Sequence, residues 1–266
     1  MKIHSHLDAE LYNKIESTVR KDSYYLDKNQ QISATVLDSE NIVVGMVGSR
    51  YTDDELNRAT QTTRSTGSST KPILAYAPLL QYFGDKYTTA SKFDTSNYRY
   101  PGSKSYMHNY GKYVYGYQTM AQSLALSHNT PVARIMDGVL GSNRVKNFLS
   151  GLDLDIQDKY TSVDGLGIHA STLQIASAYN AFNNLGKYGA PRFINKIEFS
   201  NGEEKVVEPK TRQAMNPSVA WTMNHMLRTV LTDKGTAKDA AIKGFDGYAG
   251  KTGTVGFDKS VNPPAP

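Results

Sequence analysis

The chain has 266 residues, of which 39% are hydrophobic and 21% charged, with a formal net charge of +5 and no cysteine. That length suits one large domain or two small ones and lets a core form without crosslinks. The composition excludes a disordered tail and a membrane bundle. The missing thiol excludes a disulfide framework, a thiolate zinc site and a cysteine nucleophile, and is compatible with an oxidising exterior. The longest nearly apolar run, residues 72–80, falls far short of the about twenty residues that a membrane span needs. The N-terminus carries no apolar signal segment. The basic residues are scattered, with no run and no aromatic interleaving, so no nucleic-acid footprint is expected.

In chain order, residues 8–22 predict an amphipathic helix with Leu11, Ile15 and Val19 on one face. Residues 31–37 and 42–47 alternate as strands and flank the turn Asp38-Ser39-Glu40-Asn41, which predicts a hairpin. Residues 50–67 are polar and irregular. A helix follows over 68–83, with Ile73, Ala77, Leu80 and Phe83 toward a core and Pro72 in its first turn, where a missing N–H is harmless. Residues 84–117 are rich in Tyr, Ser, Lys and Gly, lack either period and predict a long surface excursion, a kind of segment that tends to be functional. Helices are expected over 117–126, 132–140, 171–183 and 218–231, the third turning Leu173, Ala176, Tyr179 and Phe182 inward. A second hairpin is expected from 193–199 and 205–207 through Asn201-Gly202, and a short strand over 247–255. A hairpin, then helices, then late strands give an α+β fold, with helices on an antiparallel sheet in which the first and last strands meet.

Three short patterns carry candidate chemistry. In Gly67-Ser68-Ser69-Thr70-Lys71-Pro72, Ser68 and Lys71 share one face of a helical turn. A serine hydroxyl is a poor nucleophile until a base takes its proton, and a lysine serves as that base only if burial or nearby positive charge lowers its pKa. The same letters also describe a capped helix start followed by a solvated lysine. Ser127-His128-Asn129 lies between two helices, where a hydroxyl can relay a proton and a carboxamide can meet a peptide as donor and acceptor. Such a triplet is otherwise an ordinary cap or turn. Gly250-Lys251-Thr252-Gly253-Thr254 offers a cation and two hydroxyls to a carboxylate on a segment that a substrate backbone can approach, or else a glycine-punctuated turn with an exposed lysine.

Taken together and in this chain order, the three patterns resemble the signature of penicillin-binding proteins and class A β-lactamases. The similarity is wider than the motifs. Residues 2–11, the hairpin around Ala34-Thr35-Val36-Leu37-Asp38 and Met46-Val47-Gly48, Asn57-Arg58-Ala59-Thr60-Gln61, Asn109-Tyr110-Gly111, Ala121-Gln122-Ser123-Leu124, Asn129-Thr130-Pro131-Val132 and residues 165–182 resemble the transpeptidase domain of class A (bifunctional) penicillin-binding proteins. The likeness covers about residues 2–255.

The resemblance implies a penicillin-binding/serine β-lactamase-like α+β fold, with residues 1–30 as a linker strand and helix and 31–266 as a transpeptidase domain incomplete at its C-terminal strands. It implies a serine-type D-Ala-D-Ala transpeptidase/carboxypeptidase that cross-links peptidoglycan stem peptides and is acylated by β-lactams. In it Ser68 is the nucleophile, Lys71 the base, Ser127 the proton relay and Asn129 the group that orients the substrate amide. Lys251, Thr252, Gly253 and Thr254 bind the substrate carboxylate and line the strand, His128 lines the cleft rim, and the N–H groups of Ser68 and Thr254 form an oxyanion hole. The parent protein is expected at the extracytoplasmic face of the membrane, anchored through an N-terminal segment upstream of this sequence.

Three departures accompany the likeness. Thr70 stands where relatives often carry an aromatic, the upstream glycosyltransferase domain and anchor are missing, and the sequence stops soon after Thr254. Two alternatives share the motifs. A class A-like β-lactamase needs a deacylating glutamate between the second and third motifs, and the glutamates there, Glu198, Glu203, Glu204 and Glu208, all fall at the second predicted hairpin. A non-catalytic penicilloyl-binding sensor or scaffold would bind without turnover. His4, His6, His108, His128, His169 and His225 show no ligand spacing, and no nucleotide loop is present, so neither a metal nor a cofactor is expected.

Overall fold

The computed structural model describes residues 1–21, 30–51, 53–110, 116–242, 244–245 and 247–256. The end of the first predicted helix at Asp22, Gly111 of the Asn-Tyr-Gly run and the tail 257–266 lie outside the described residues.

Strand β1 (Lys2–Ser5) leads into helix α1 (Ala9–Val19). Asp8 caps α1, its carboxylate accepting the Leu11 N–H at 2.9 Å. The first hairpin forms as expected from β2 (Ala34–Leu37) and β3 (Val43–Val47), with Ala34 opposite Val47 and Thr35 opposite Met46. Its turn is tied by the Asp38 carboxylate, which accepts the N–H groups of Glu40 and Ile42 at 2.8 and 2.9 Å.

After β4 (Arg64–Ser65) the chain makes a 3₁₀ turn over Gly67–Thr70, a π turn over Pro72–Tyr76 and helix α2 (Ala77–Phe83). The expected inward face of this segment is too narrow. Ile73, Leu74, Ala75, Tyr76, Ala77 and Leu79 have no exposed surface at all, so the helix is surrounded by core rather than laid on it. The π turn precedes Pro78, which has no N–H for the Leu74 carbonyl and crowds it.

The excursion is more ordered than its composition suggests. Strands β5 (Lys92–Asp94) and β8 (Tyr117–Thr119) pair, and between them β6 (Tyr98–Arg99) pairs with β7 (Tyr106–Met107). Phe93 and Met107 anchor these ladders in the interior. Helix α3 (Met120–Ala125) therefore starts after β8, not at Tyr117, because Thr119 and Gln122 form a reciprocal capping box there. Helix α4 (Thr130–Ile135) widens into a π turn over Met136–Leu140 and is followed by α5 (Gly141–Ser150), which the sequence reading did not anticipate.

Strand β9 (His169–Ala170) returns to pair with β4, and helix α6 (Thr172–Asn183) follows behind a second capping box, Ser171 with Gln174. Its deepest residues are Ser177, Ala178, Ala181 and Phe182, so the inward face is rotated from the expected one and Leu173 and Ala176 are only half-buried. Then come β10 (Lys187–Gly189), β11 (Ile194–Glu198), β12 (Glu204–Val206), β13 (Thr211–Gln213) and α7 (Pro217–Arg228). The second hairpin, β11–β12, is as expected, and β1 adds to the outer side of β11.

Among the described residues all ladders are antiparallel, yet they form one three-stranded sheet and separate two-stranded pairs rather than the single sheet expected. The predicted strand over 247–255 has no ladder partner among the described residues; its Gly250 N–H goes to the Leu227 carbonyl and the Thr252 carbonyl to the Lys251 side chain, not to a neighbouring strand. One continuous core joins α2 through α7. No described helix is long and apolar enough to cross a membrane.

Candidate active site

The three sequence patterns converge. Ser68 sits half-buried in the 3₁₀ turn, and Lys71 follows at the start of the π turn, with its N–H donated to the Ser68 carbonyl. Lys71 has no exposed surface. Its ammonium nitrogen lies 2.6 Å from the Ser127 carbonyl oxygen, 2.6 Å from Asn129 Oδ1 and 3.4 Å from Ser127 Oγ. The Ser127 carbonyl reaches Lys71 from a residue in the left-handed region, at φ +57°. A non-glycine residue held there is strained by roughly 1–3 kcal/mol, a conformation found at functional sites.

Lys251 arrives from the opposite side. Its nitrogen is 2.9 Å from Ser127 Oγ and 2.9 Å from the Thr252 carbonyl. Thr252 Oγ1 is in turn 2.7 Å from Thr236 Oγ1. Two lysines thus approach one serine hydroxyl, and among the described residues neither has a carboxylate partner. Burial, and secondly the positive charge of Lys251, hold the Lys71 amine well below the usual lysine range. Burial lowers Lys251 to about 8. An uncharged Lys71 has two N–H groups for the two acceptors at 2.6 Å and one lone pair left over, which is what a base needs.

The 251–254 segment is seated on the nucleophile turn by two glycines. Gly67 has φ +54°, and a Cβ there would stand 2.5 Å from the Thr254 carbonyl oxygen. A Cβ on Gly253 would stand 2.6 Å from the Thr66 oxygen. Any side chain at either position would push the segment off the turn. The Ser68 hydroxyl makes no hydrogen bond among the described residues, so it has no internal partner there to displace.

Reading the sequence did not identify the groups that hold this arrangement. Asn109, from the excursion, accepts the N–H groups of Asn129 and Thr130 at 2.7 and 2.9 Å and donates to the Thr95 carbonyl at 2.8 Å. The His108 carbonyl accepts from Asn129 Nδ2 at 2.8 Å. Tyr179 of α6 donates to the Ser69 carbonyl at 2.5 Å. These residues are far from the motifs in sequence, and the only signal for Asn109 was its place in the Asn-Tyr-Gly run. Replacing Asn109 by alanine orphans two N–H groups beside the site. It is expected to destabilise the fold by about 1–3 kcal/mol and to slow acylation of Ser68, checked by thermal unfolding and β-lactam labelling of one preparation.

His128 is not where it was expected. Its ring is only 2% exposed, so it does not line the cleft rim. The backbone N–H of His128 closes onto the Ser123 carbonyl at the end of α3, and that turn points the side chain inward. Burial, and secondly the charge of Lys71, lower its imidazole to about 4, and Nδ1 has no hydrogen-bond partner among the described residues. Of the glutamates weighed for hydrolysis, Glu198 and Glu204 bind Lys196 on the β11–β12 hairpin, and Glu203 lies in its turn.

Residues 32–262 match the penicillin binding protein transpeptidase domain family. Penicillin-binding protein 1A of Streptococcus oralis is 33% identical over 272 residues, covering 97% of this chain and 42% of that protein. Penicillin-binding protein 1A/1B of Bacillus subtilis is 34% identical over 266 residues, covering 97% of this chain and 28% of that protein. The chain thus spans less than half the length of these relatives. In fold it is similar to the D,D-transpeptidase domain of a peptidoglycan glycosyltransferase from Eggerthella lenta, with a TM-score of 0.78 at 18% identity, covering 97% of this chain and 72% of that one. Penicillin-binding protein 1A from Haemophilus influenzae gives a TM-score of 0.74 at 23% identity, covering 84% of this chain and 39% of that one. With its motifs gathered around Ser127 and this similarity along almost its whole length, the chain belongs to the penicillin-binding protein transpeptidase domain family.

Proposed function

We propose that this chain is a D,D-transpeptidase domain that cross-links peptidoglycan stem peptides through an acyl-enzyme on Ser68 and is acylated there by β-lactams. The observation that carries the reading is the buried Lys71 amine, held well below the usual lysine range by burial and by a second lysine, and hydrogen-bonded to Ser127 and Asn129. Its free lone pair takes the Ser68 hydroxyl proton as the serine oxygen bonds to the carbonyl carbon of the penultimate D-Ala. The oxyanion that forms is stabilised by the N–H groups of Ser68 and Thr254, the latter seated on the nucleophile turn. The carbon–nitrogen bond to the terminal D-Ala then breaks. Ser127 passes a proton to the leaving amine, its hydroxyl standing between Lys71 and Lys251. The amine of a neighbouring stem attacks the ester, forms the new amide and returns Ser68; water in its place gives carboxypeptidase activity.

Lys251, with no carboxylate partner among the described residues, takes the terminal carboxylate of the donor, assisted by the hydroxyls of Thr252 and Thr254, while Gly253 lets the segment lie close. Asn129 orients the donor amide. Such a substrate places the domain at the extracytoplasmic face of the membrane, where stem peptides are joined. The engagement of Glu198 and Glu204 with Lys196, and of Glu203 in the β11–β12 turn, disfavours a β-lactamase.

Labelling with a fluorescent penicillin tests the reading. Wild-type chain is expected to take one label at Ser68 that persists, and Ser68→Ala to take none. Equal labelling of the two would sink the assignment, and rapid turnover of the label would point to hydrolysis instead.

A further inference from the structure

The proposed mechanism uses Lys251 as a charge, yet its surroundings also suit it as a nucleophile. Its nitrogen lies 2.9 Å from Ser127 Oγ, 2.9 Å from the Thr252 carbonyl and 3.3 Å from Thr252 Oγ1. Lys71 reaches the same Ser127 hydroxyl at 3.4 Å. Two amines thus share one hydroxyl, and among the described residues no carboxylate pairs with either. An amine that is desolvated, or set beside another cation, sheds its proton more readily and becomes a nucleophile toward carbonyl carbon. Burial lowers Lys251 to about 8. At that pH about half of it is free amine, against about 0.4% for a lysine at the ordinary value. Lys71 is kept from this chemistry by its packing, with no exposed surface and two acceptors at 2.6 Å. Lys251 is half-buried, and Gly253 and Thr254 beyond it are exposed, which leaves a small molecule a way in from solvent.

The same surroundings choose the carbonyl compound. Positive charge without a counter-ion attracts an anion. The hydroxyls of Ser127 and Thr252 stand 2.9 and 3.3 Å from the nitrogen, the latter backed by Thr236 Oγ1 at 2.7 Å, and can donate to a carboxylate one carbon away from it. We propose that Lys251 is a covalent site for small α-oxo acids, which condense with its amine to an imine. The nitrogen lone pair bonds to the carbonyl carbon, and one nitrogen proton passes through Ser127 Oγ to the former carbonyl oxygen. The nitrogen then expels that oxygen, with its second proton, as water. No oxidant or reductant is consumed, and water reverses the step. The adduct stands independently of the proposed function. Its consequence rests on that function: the imine fills the carboxylate subsite and removes the Lys251 ammonium, so acylation of Ser68 is reversibly inhibited.

The probe is glyoxylate, added to the full chain with cyanoborohydride, which reduces an imine to a stable carboxymethyl amine. Peptide mapping by mass spectrometry then reads the rate at each lysine. Lys251 is expected to be labelled at least tenfold faster than exposed lysines such as Lys104. Acetaldehyde, which has the carbonyl without the carboxylate, is expected to favour Lys251 at least fivefold less. Ser127→Ala is expected to slow glyoxylate labelling of Lys251 at least fivefold and to leave Lys104 unchanged. The comparison of the two aldehydes needs no variant, so it decides the matter if Ser127→Ala fails to fold. Labelling of Lys251 no faster than Lys104, equal preference for acetaldehyde, an adduct on Lys71 in its place, or wild-type labelling of Ser127→Ala overturns the inference. A Lys251 adduct in a chain that takes no penicillin at Ser68 sinks the proposed activity alone, and penicillin labelling without a Lys251 adduct sinks this inference alone.

Discussion

Lys71→Arg is expected to slow β-lactam acylation of Ser68 as severely as Lys71→Ala, by about 10²–10⁴-fold, the usual contribution of a positioned base. On the proposed mechanism, positive charge is not what the site requires of this residue. The Lys71 nitrogen has two acceptors at 2.6 Å, the Ser127 carbonyl and Asn129 Oδ1, and an uncharged amine satisfies both with its two hydrogens while keeping a lone pair. Burial together with the charge of Lys251 makes that uncharged form accessible. A guanidinium is never deprotonated in a protein and has no lone pair to offer, so arginine preserves the charge and removes the function. Rates of labelling by a fluorescent penicillin, with thermal unfolding as the control for a filled or emptied cavity, decide the matter. Arginine at wild-type rate would exclude Lys71 as the base.

Lys251→Met is expected to produce two separable effects. The first is on the pH dependence of acylation. The Lys251 charge is the second cause of the lowered Lys71 pKa, so its removal lets the Lys71 pKa rise. A higher pKa leaves less free amine at a given pH, and the acid limb of the rate profile moves to higher pH. The second effect is on binding. A hydrogen bond to a charged group is worth about 1.5–3 kcal/mol, so loss of the ammonium raises KM for a carboxylate-bearing substrate roughly 10–150-fold. In the wild-type chain Lys251 is charged below about pH 8 and loses its proton above it. KM is therefore expected to rise as pH passes upward through 8, and this limb is expected to vanish in the methionine variant. Initial rates between pH 5 and pH 10 on both proteins supply the test. An acid limb that stays in place or moves down would contradict the coupling between the two lysines.

What could be read in the sequence depended on how local its cause was. The β2–β3 hairpin was legible because Asp38 makes its turn through its own near neighbours. Helix α6 was legible because Ser171 and Gln174 cap it within one turn, although its inward face, set by packing against α7 and β2, was misjudged. The strand expected over 247–255 failed for the opposite reason, since a strand is defined by a partner and a single segment cannot supply one. His128 failed in the same way. Its neighbours in sequence suggested the cleft, while the turn at the end of α3 sends its ring into the interior.

By itself the sequence picked out the candidate reactive groups, Ser68, Lys71, Ser127, Asn129 and Lys251, because side-chain chemistry belongs to the residue and each motif is short. Only the tertiary structure decided their state. Lys71 is a lysine in any fold, but its amine falls below the usual lysine range only once burial and the charge of Lys251 act on it together. Ser127 lies between two lysines only because the excursion residue Asn109 fixes the Asn129 backbone and because Gly67 and Gly253 let a segment from the end of the chain lie on the nucleophile turn. Burial, electrostatic coupling and close backbone approach depend on distances between residues remote in sequence, and those distances exist only after folding.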